Sequence, residues 1–210
     1  MAGIKIGRMT LGVCATNCYF LYREGAADVV FIDPADRGAD LYEGLKKKGF
    51  SVAAILLTHG HFDHIGGAGQ LRQLSGAKIY APAAEKSVCS DPYVNLSAQF
   101  GHDTVIEPDE WLSDGQELTL AGIGLKVIST PGHTVGSACY YVQEAGLLIA
   151  GDTLFAGSVG RTDFPTGSMG KLVRSVKEKL FVLPDETKVY PGHGEYTTIG
   201  EEKEYNPYCQ

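Results

Sequence analysis

Residues 56–67 read LLTHGHFDHIGG, and three of the chain's six histidines fall between positions 59 and 64 of that stretch. The run VAAILLT that leads into it is continuously apolar rather than alternating, which suits a strand buried on both faces. The IGGAGQLRQLSG stretch behind it reads as a helix that stops at Gly76. Strand ends that meet helix starts are where α/β proteins place ligands. Imidazole and carboxylate are donors suited to zinc and other first-row metals. The H-x-H-x-D-H spacing is too tight for one tetrahedral site, because consecutive residues cannot all converge on a point. It can feed two neighbouring points, His59 and His61 toward one metal and Asp63 and His64 toward another.

Three further polar groups share this context. His133 lies in STPGHTVGS after the strand LKVIS, Asp152 in LLIAGDTLF after GLLIA, and His193 in KVYPGHGEY after TKVY. Each alone reads equally well as a turn cap or a hydrogen-bonded loop residue. Together with the first cluster they make a set of seven that reads as a two-metal site, with one carboxylate bridging. Two metals about 3.5–4 Å apart share a hydroxide and stabilise both the attacked carbonyl and the leaving group. Metal binding lowers the pKa of water to about 7, so the nucleophile need not be a side chain. That fits the lack of a convincing Ser, Cys or Thr nucleophile motif. The remaining histidine, His102 in QFGHDT, reads as a surface residue.

Working outward, IKIGRMT, NCYFLYR and DVVFID are short apolar or alternating runs and read as strands. RGADLYEGLKKKG has helical spacing and closes on Gly49. Residues 82–111 are less periodic and predict a short helix and a surface loop. Strands recur in QELTLAG, GLKVIST, ACYYVQ, GLLIAG and TKVYPG, and GSMGKLVRSVKEKL predicts a helix. The tail EEKEYNPYCQ is polar with aromatic anchors. No repeat or linker interrupts the chain, so a single domain is expected over residues 1–210. Two similar halves of strands and helices suggest α/β layers with helices outside a sheet sandwich. Periodicity does not separate this from a doubly wound sheet.

The bulk numbers exclude some classes. The chain is 44% hydrophobic and 20% charged, an ordinary globular composition. No apolar run reaches the roughly 18 residues needed to cross a bilayer, and MAGIKIGRMTLG lacks the features of a signal peptide. The expectation is a cytoplasmic protein without a membrane partner. A net charge of −7 argues against nucleic acid as a partner. Five cysteines, odd in number and scattered, predict reduced and mostly buried thiols.

THGHFDH, PGHTVGS, GDTLF and PGHGEY resemble the ordered motifs of the metallo-β-lactamase-fold hydrolases. GSVGRTDFPTGS and the TTIGEEKEYNPY tail narrow the likeness to single-domain bacterial glyoxalase II-like proteins. The resemblance implies a four-layer αβ/βα sandwich with the site at one edge of the two sheets. It assigns His59, His61 and His133 to a first metal, Asp63, His64 and His193 to a second, and Asp152 to the bridge. It implies two divalent ions, Zn2+ first, with iron or manganese as alternatives. The implied activity is glyoxalase II-like hydrolysis of S-lactoylglutathione-type thioesters, with Asp63 and Asp152 also orienting the attacking hydroxide. Relative to glyoxalase II, the expectation is that the C-terminal helical domain that helps hold glutathione is missing. GHGEYT also has one residue more than the usual GHEYT, which would displace Tyr196 from the thiol carrier. Arg161, nine residues past Asp152, takes the place of a glutathione-contacting lysine; it could pair with a substrate carboxylate or with the nearby Asp163. The runner-up is a mononuclear non-haem iron persulfide dioxygenase, a related branch with a GRTDF-like segment that uses positions matching His59, His133 and Asp152. The acyl group, the thiol carrier and the oligomeric state stay open.

Overall fold

Two six-stranded sheets stack face to face, with helices on both outer faces. The computed structural model describes residues 3–210; Met1 and Ala2, the first positions of the expected domain, lie outside it. The first sheet is formed in chain order by β1 (Ile4–Leu11), β2 (Thr16–Arg23), β3 (Asp28–Ile32), β4 (Ser51–Leu56), β5 (Lys78–Pro82) and β6 (Glu110–Leu112). Its first three strands pair antiparallel and the remainder pair parallel. Its helices are α1 (Gly38–Lys47), the short α2 (Phe62–Ile65), α3 (Ala68–Ser75) and α4 (Lys86–Ser90).

The second sheet holds β7 (Glu117–Leu120), β8 (Ile123–Ser129), β9 (Ala138–Val142) and β10 (Leu147–Gly151). A small hairpin follows, β11 (Leu154–Phe155) and β12 (Ser158–Val159), then α5 (Met169–Ser175), which runs on into a wider π-type turn, Val176–Leu180. The chain returns to the second sheet as β13 (Lys188–Pro191) beside β10 and as β14 (Thr197–Thr198) at the edge. It then forms α6 (Ile199–Tyr205).

The period-2 geometry of strands explains the four layers. In β2, Tyr19 and Leu21 enter the core between the sheets, whereas Cys18 and Phe20 face the outer core under α1 and α3. In β9, Tyr140 and Val142 point inward and Cys139 and Tyr141 outward, toward Leu172 and Val176 of the α5 region. Strands apolar on both faces therefore read as continuous runs, and each sheet is sealed on both sides. This is the expected αβ/βα sandwich. The structure adds one helix to the polar tail. Thr198 caps α6 by accepting a hydrogen bond from the Glu201 N–H at 3.2 Å, and T-I-G-E matches the S/T-x-x-E capping-box pattern.

The sandwich positions the site by bringing strand ends together. β4 ends just before His59, β10 ends at Gly151 just before Asp152, and β13 ends at Pro191 just before His193. The Tyr140 hydroxyl donates to the Leu57 carbonyl at 2.6 Å and the Tyr19 hydroxyl to the Pro191 carbonyl at 2.8 Å. These two buried bonds pin two of the ligand-bearing loops to the sandwich core.

Candidate metal centre

All seven expected ligand residues converge. His59, His61 and His133 form one group, Asp63, His64 and His193 another, and Asp152 joins His59 and His64 in a third, with the ligand atoms of each group within 4.8 Å of one another. His61 Nδ1 and His133 Nε2 are 2.9 Å apart. Asp152 Oδ2 lies 3.5 Å from His133 Nε2 of the first group and 3.4 Å from His193 Nε2 of the second. The other Asp152 oxygen is 3.4 Å from His64 Nε2. Asp63 Oδ2 lies 3.6 Å from His64 Nε2 and 3.4 Å from His193 Nε2. Donors about 2.0–2.2 Å from one tetrahedral ion stand about 3.3–3.6 Å from each other. The carboxylate–imidazole separations of 3.4–3.6 Å therefore suit shared ions, whereas the His61–His133 pair is closer than that.

The unmet polar atoms give a second test of fit. Among the described residues, His59 Nε2, His61 Nε2, His64 Nε2 and Asp152 Oδ1 are buried without a hydrogen-bond partner. Native proteins rarely leave such atoms unmet, because each costs about 1–3 kcal/mol. Three of them belong to one donor group, His59, His64 and Asp152, which fits a bound divalent cation; His61 turns its other nitrogen, Nδ1, toward His133.

The rings are aimed by bonds to their far nitrogens, as metal-ligating histidines commonly are. His59 Nδ1 is 3.0 Å from Thr58 Oγ1, His64 Nδ1 is 2.9 Å from Asp33 Oδ2, and His133 Nδ1 is 2.7 Å from the Arg161 carbonyl. Asp33 is buried, and it also accepts from the Thr58 N–H at 2.8 Å and hydroxyl at 2.6 Å. Asp33 holds a left-handed φ of 50°, a conformation uncommon outside glycine. Asn17 grips the loop of His193, donating to the Pro191 and Gly194 carbonyls at 3.1 and 2.9 Å. The Thr16 hydroxyl donates to Asp63 Oδ2 at 2.8 Å. The sequence reading missed these supporting residues; the only local signal was FIDP, an acidic residue ending a strand.

The electrostatics divide the centre in two. Burial drives the His59 imidazole well below its ordinary pKa and, with the His133 ring beside it, brings His61 down to about 3. For His193, burial opposes charging, but Asp152 and Asp63 outweigh it and raise its pKa to about 9. His64 is likewise desolvated, yet Asp63, Asp152 and Asp33 push it well above the usual value. Against the same burial, His64 and His193 hold Asp63 down to about 2 and keep Asp152 well below the carboxylate range. Without metal, the His64 and His193 imidazolium rings thus neutralise Asp63 and Asp152, while His59 and His61 stay neutral.

Arg161 reaches the cluster through its carbonyl on His133 and through Phe164, whose ring lies 5.8 Å from that of His61, and not through its guanidinium. The Arg161 guanidinium donates two hydrogen bonds to the Asp163 carboxylate, at 3.0 and 2.7 Å, and lies 4.2 Å from the Phe164 ring centroid. Tyr196 is exposed and tilts against Tyr190. His102 is exposed and helps line a cavity of about 380 Å³ beside Asp63, with Val13, Phe62, Phe100 and Thr104. Four of the five free cysteines are buried, and Cys14 is half-buried.

The chain belongs to the metallo-beta-lactamase superfamily, whose family model matches residues 11–193. It is 38% identical to the probable metallo-hydrolase YqgX of Bacillus subtilis, over 98% of this chain and 97% of that protein. It is 34% identical to hydroxyacylglutathione hydrolase GloC of Haemophilus influenzae, over 91% of this chain and 92% of that one. Among solved structures it matches the BLEG-1 B3 metallo-beta-lactamase with a TM-score of 0.93 at 37% identity, over 98% of this chain and 100% of that one. TTHA1623, solved in a di-iron-bound form, matches with a TM-score of 0.86 at 33% identity, over 96% and 99%. Fold, donor set and relatives together define a metallo-hydrolase. Among the described residues no helix is long and apolar enough to cross a membrane.

Proposed function

We propose that this chain is a dinuclear thioester hydrolase that cleaves small acyl thioesters of the S-lactoylglutathione type. The observation that carries the reading is Asp152, one carboxylate oxygen of which stands 3.5 Å from His133 Nε2 and 3.4 Å from His193 Nε2. A carboxylate placed between two ligand groups suits a bridge between two ions. His59, His61 and His133 would hold the first ion, Asp63, His64 and His193 the second, and Asp152 both. Such ions supply Lewis-acid polarisation of a carbonyl and lower the pKa of water.

The chain's own residues orient and exclude. Asp63 and Asp152, held ionised, accept the hydrogen bond of the attacking water and aim its lone pair at the acyl carbon. As the C–S bond breaks, the products are a carboxylate and a thiol. The site's carboxylates are ionised and its imidazoles serve as ligands, so neither is left to protonate an amine leaving group. A thiolate, whose conjugate acid has a pKa of about 8.5, departs without that help. A thioester therefore suits the site, and the likeness to GloC supports that class. The substrate is a small molecule; neither nucleic acid nor a membrane is part of the reading, and a cytoplasmic setting goes with it. Zinc is the proposed metal, with iron the alternative raised by the di-iron form of TTHA1623.

The test is elemental analysis of protein purified without chelators, followed by turnover of S-lactoylglutathione with a cephalosporin as the control substrate. About two metals per chain and thioester turnover are expected, with His61→Ala lowering turnover by roughly 100-fold or more, as loss of a ligand to a catalytic metal should. One iron per chain, with oxygen uptake on glutathione persulfide, would overturn this reading in favour of a dioxygenase. Unchanged turnover in folded His61→Ala would sink the two-metal mechanism.

A further inference from the structure

Glu85 is a carboxylate with no exposed surface, far in sequence from every residue of the metal centre. It lies in the 3-10 turn Ala83–Glu85 that leads into α4. One of its oxygens accepts from the Gly60 N–H at 2.8 Å. The other accepts from the Thr134 hydroxyl at 2.7 Å and from the Gly136 N–H at 2.7 Å. Gly60 is the residue between His59 and His61, and Thr134 follows His133. A single buried group thus joins the two loops that supply all three ligands of the first group, and it touches neither loop through a ligand side chain.

Packing supports the same reading independently of the hydrogen bonds. A Cβ on Gly60 would stand 2.9 Å from the Cys89 backbone nitrogen, and one on Gly136 would stand 2.6 Å from the Glu85 nitrogen. Both loops therefore lie flush on the 83–90 segment, which acts as a wedge between them. Buried carboxylates are costly unless met by donors, and charge-assisted bonds are about twice as strong as neutral ones. A group that satisfies three donors from two loops has more hold on their separation than apolar packing would.

We propose that Glu85 is a positioning residue for the first metal: its carboxylate clamps the His59–His61 loop to the His133 loop and sets the spacing of the three imidazoles. A carboxylate is required because all three partners present donors. Glutamine can keep one oxygen on Thr134 and Gly136, but its amide N–H then confronts the Gly60 N–H. That clash falls on the residue between two ligands. Glu85 makes its hydrogen bonds beside the ligands of the first group, to Gly60, Thr134 and Gly136, so the effect falls mainly on that half of the centre. The inference rests on metal binding alone and holds whichever bond the enzyme cleaves.

The test is Glu85→Gln in the full chain, read by Zn2+ competition against a chromophoric chelator and by the visible spectrum of the Co2+ form. Loss of a residue that orients metal ligands typically lowers affinity by about 10–100-fold. That loss is expected for the first ion, with an altered Co2+ spectrum and a much smaller change for the second ion. A merely stabilising role would lower the melting temperature of the metal-free chain and leave affinity and spectrum at wild-type values, and that result overturns the proposal. If Glu85→Gln does not fold, Thr134→Val decides. It removes one donor while keeping the side-chain volume, and a wild-type first-ion affinity and spectrum in that variant overturn the proposal equally. A thioester assay that fails for the wild-type chain would count against the proposed substrate and leave these metal readouts standing.

Discussion

Gly192 shows how tightly single residues constrain the centre. A Cβ built there would overlap Asp152 Oδ1 and stand 2.8 Å from His64 Cε1. The Gly192 N–H donates to the Gly151 carbonyl at 2.8 Å, and its own carbonyl accepts from the Asn17 N–H at 2.7 Å, so the backbone there has little room to retreat. Gly192→Ala is therefore expected to displace Asp152 or His64 while leaving the distant core intact. The measurement is metal stoichiometry beside the circular dichroism spectrum: metal per chain should fall with the fold retained. Two metals per chain in that variant would mean that the His193 loop yields without cost. At this scale the ligands were legible and their supports were not. His59, His61, Asp63 and His64 announce themselves because metal donors crowd a strand end. Asp33, Asn17 and Glu85 are lone polar residues in FIDP, TNCYF and PAAEKS, with no spacing that marks them. Their roles exist only once β2, β4, the 83–90 segment and the loop after β8 pack together.

Elements show a different balance. Strands apolar on both faces, such as β3 and β10, were readable because a sheet sealed on both sides needs continuous runs rather than alternation. The stretch from 82 to 111 resisted because its pieces are short: α4 is five residues long, and its position is set by the two loops it separates. The tail also hid its helix, although T-I-G-E was a capping signal in plain view. α6 matters beyond its own turn. Its Glu202 is buried and accepts from the Thr197 hydroxyl at 2.6 Å, from Asn206 Nδ2 at 2.7 Å and from the Gly157 N–H at 3.0 Å. Gly157 lies in the β11–β12 hairpin that follows Asp152, so α6 braces that hairpin from outside. Thr198→Ala removes the cap and is expected to cost about 1 kcal/mol. For a chain of this length that is a fall of roughly 2–4 °C in melting temperature, checked by thermal unfolding, with metal content unchanged. A melting temperature equal to wild type would show that β14 and Glu202 hold the helix start without the cap.

Across the whole molecule, the two halves of the sandwich meet at a cluster whose charge depends on whether metal is present. Four buried or half-buried imidazoles depart from their ordinary value in opposite directions. His64 and His193 are raised above 6.5, so in the metal-free chain their stabilising contribution is complete below pH 6.5 and is lost as pH rises through about 9 for His193. His59 and His61 are lowered, so they stay neutral in the fold while the unfolded chain takes up protons, and stability falls as pH drops below 6.5. Asp63 and Asp152 are ionised in both states throughout this window and add no slope. The metal-free chain should therefore be most stable near pH 6.5 and melt at lower temperatures on either side. Metal reverses the upper limb, because ligation needs neutral imidazole and expels the protons of His64 and His193. Adding zinc to chelator-stripped protein at pH 7 should release roughly two protons per chain into a weakly buffered solution, and apparent affinity should climb with pH until His193 has titrated. Melting curves from pH 5 to 9.5, with and without zinc, check both limbs. A metal-free curve that is flat above pH 6.5, or zinc uptake without proton release, would mean that the carboxylates of the second group are not neutralised by its histidines.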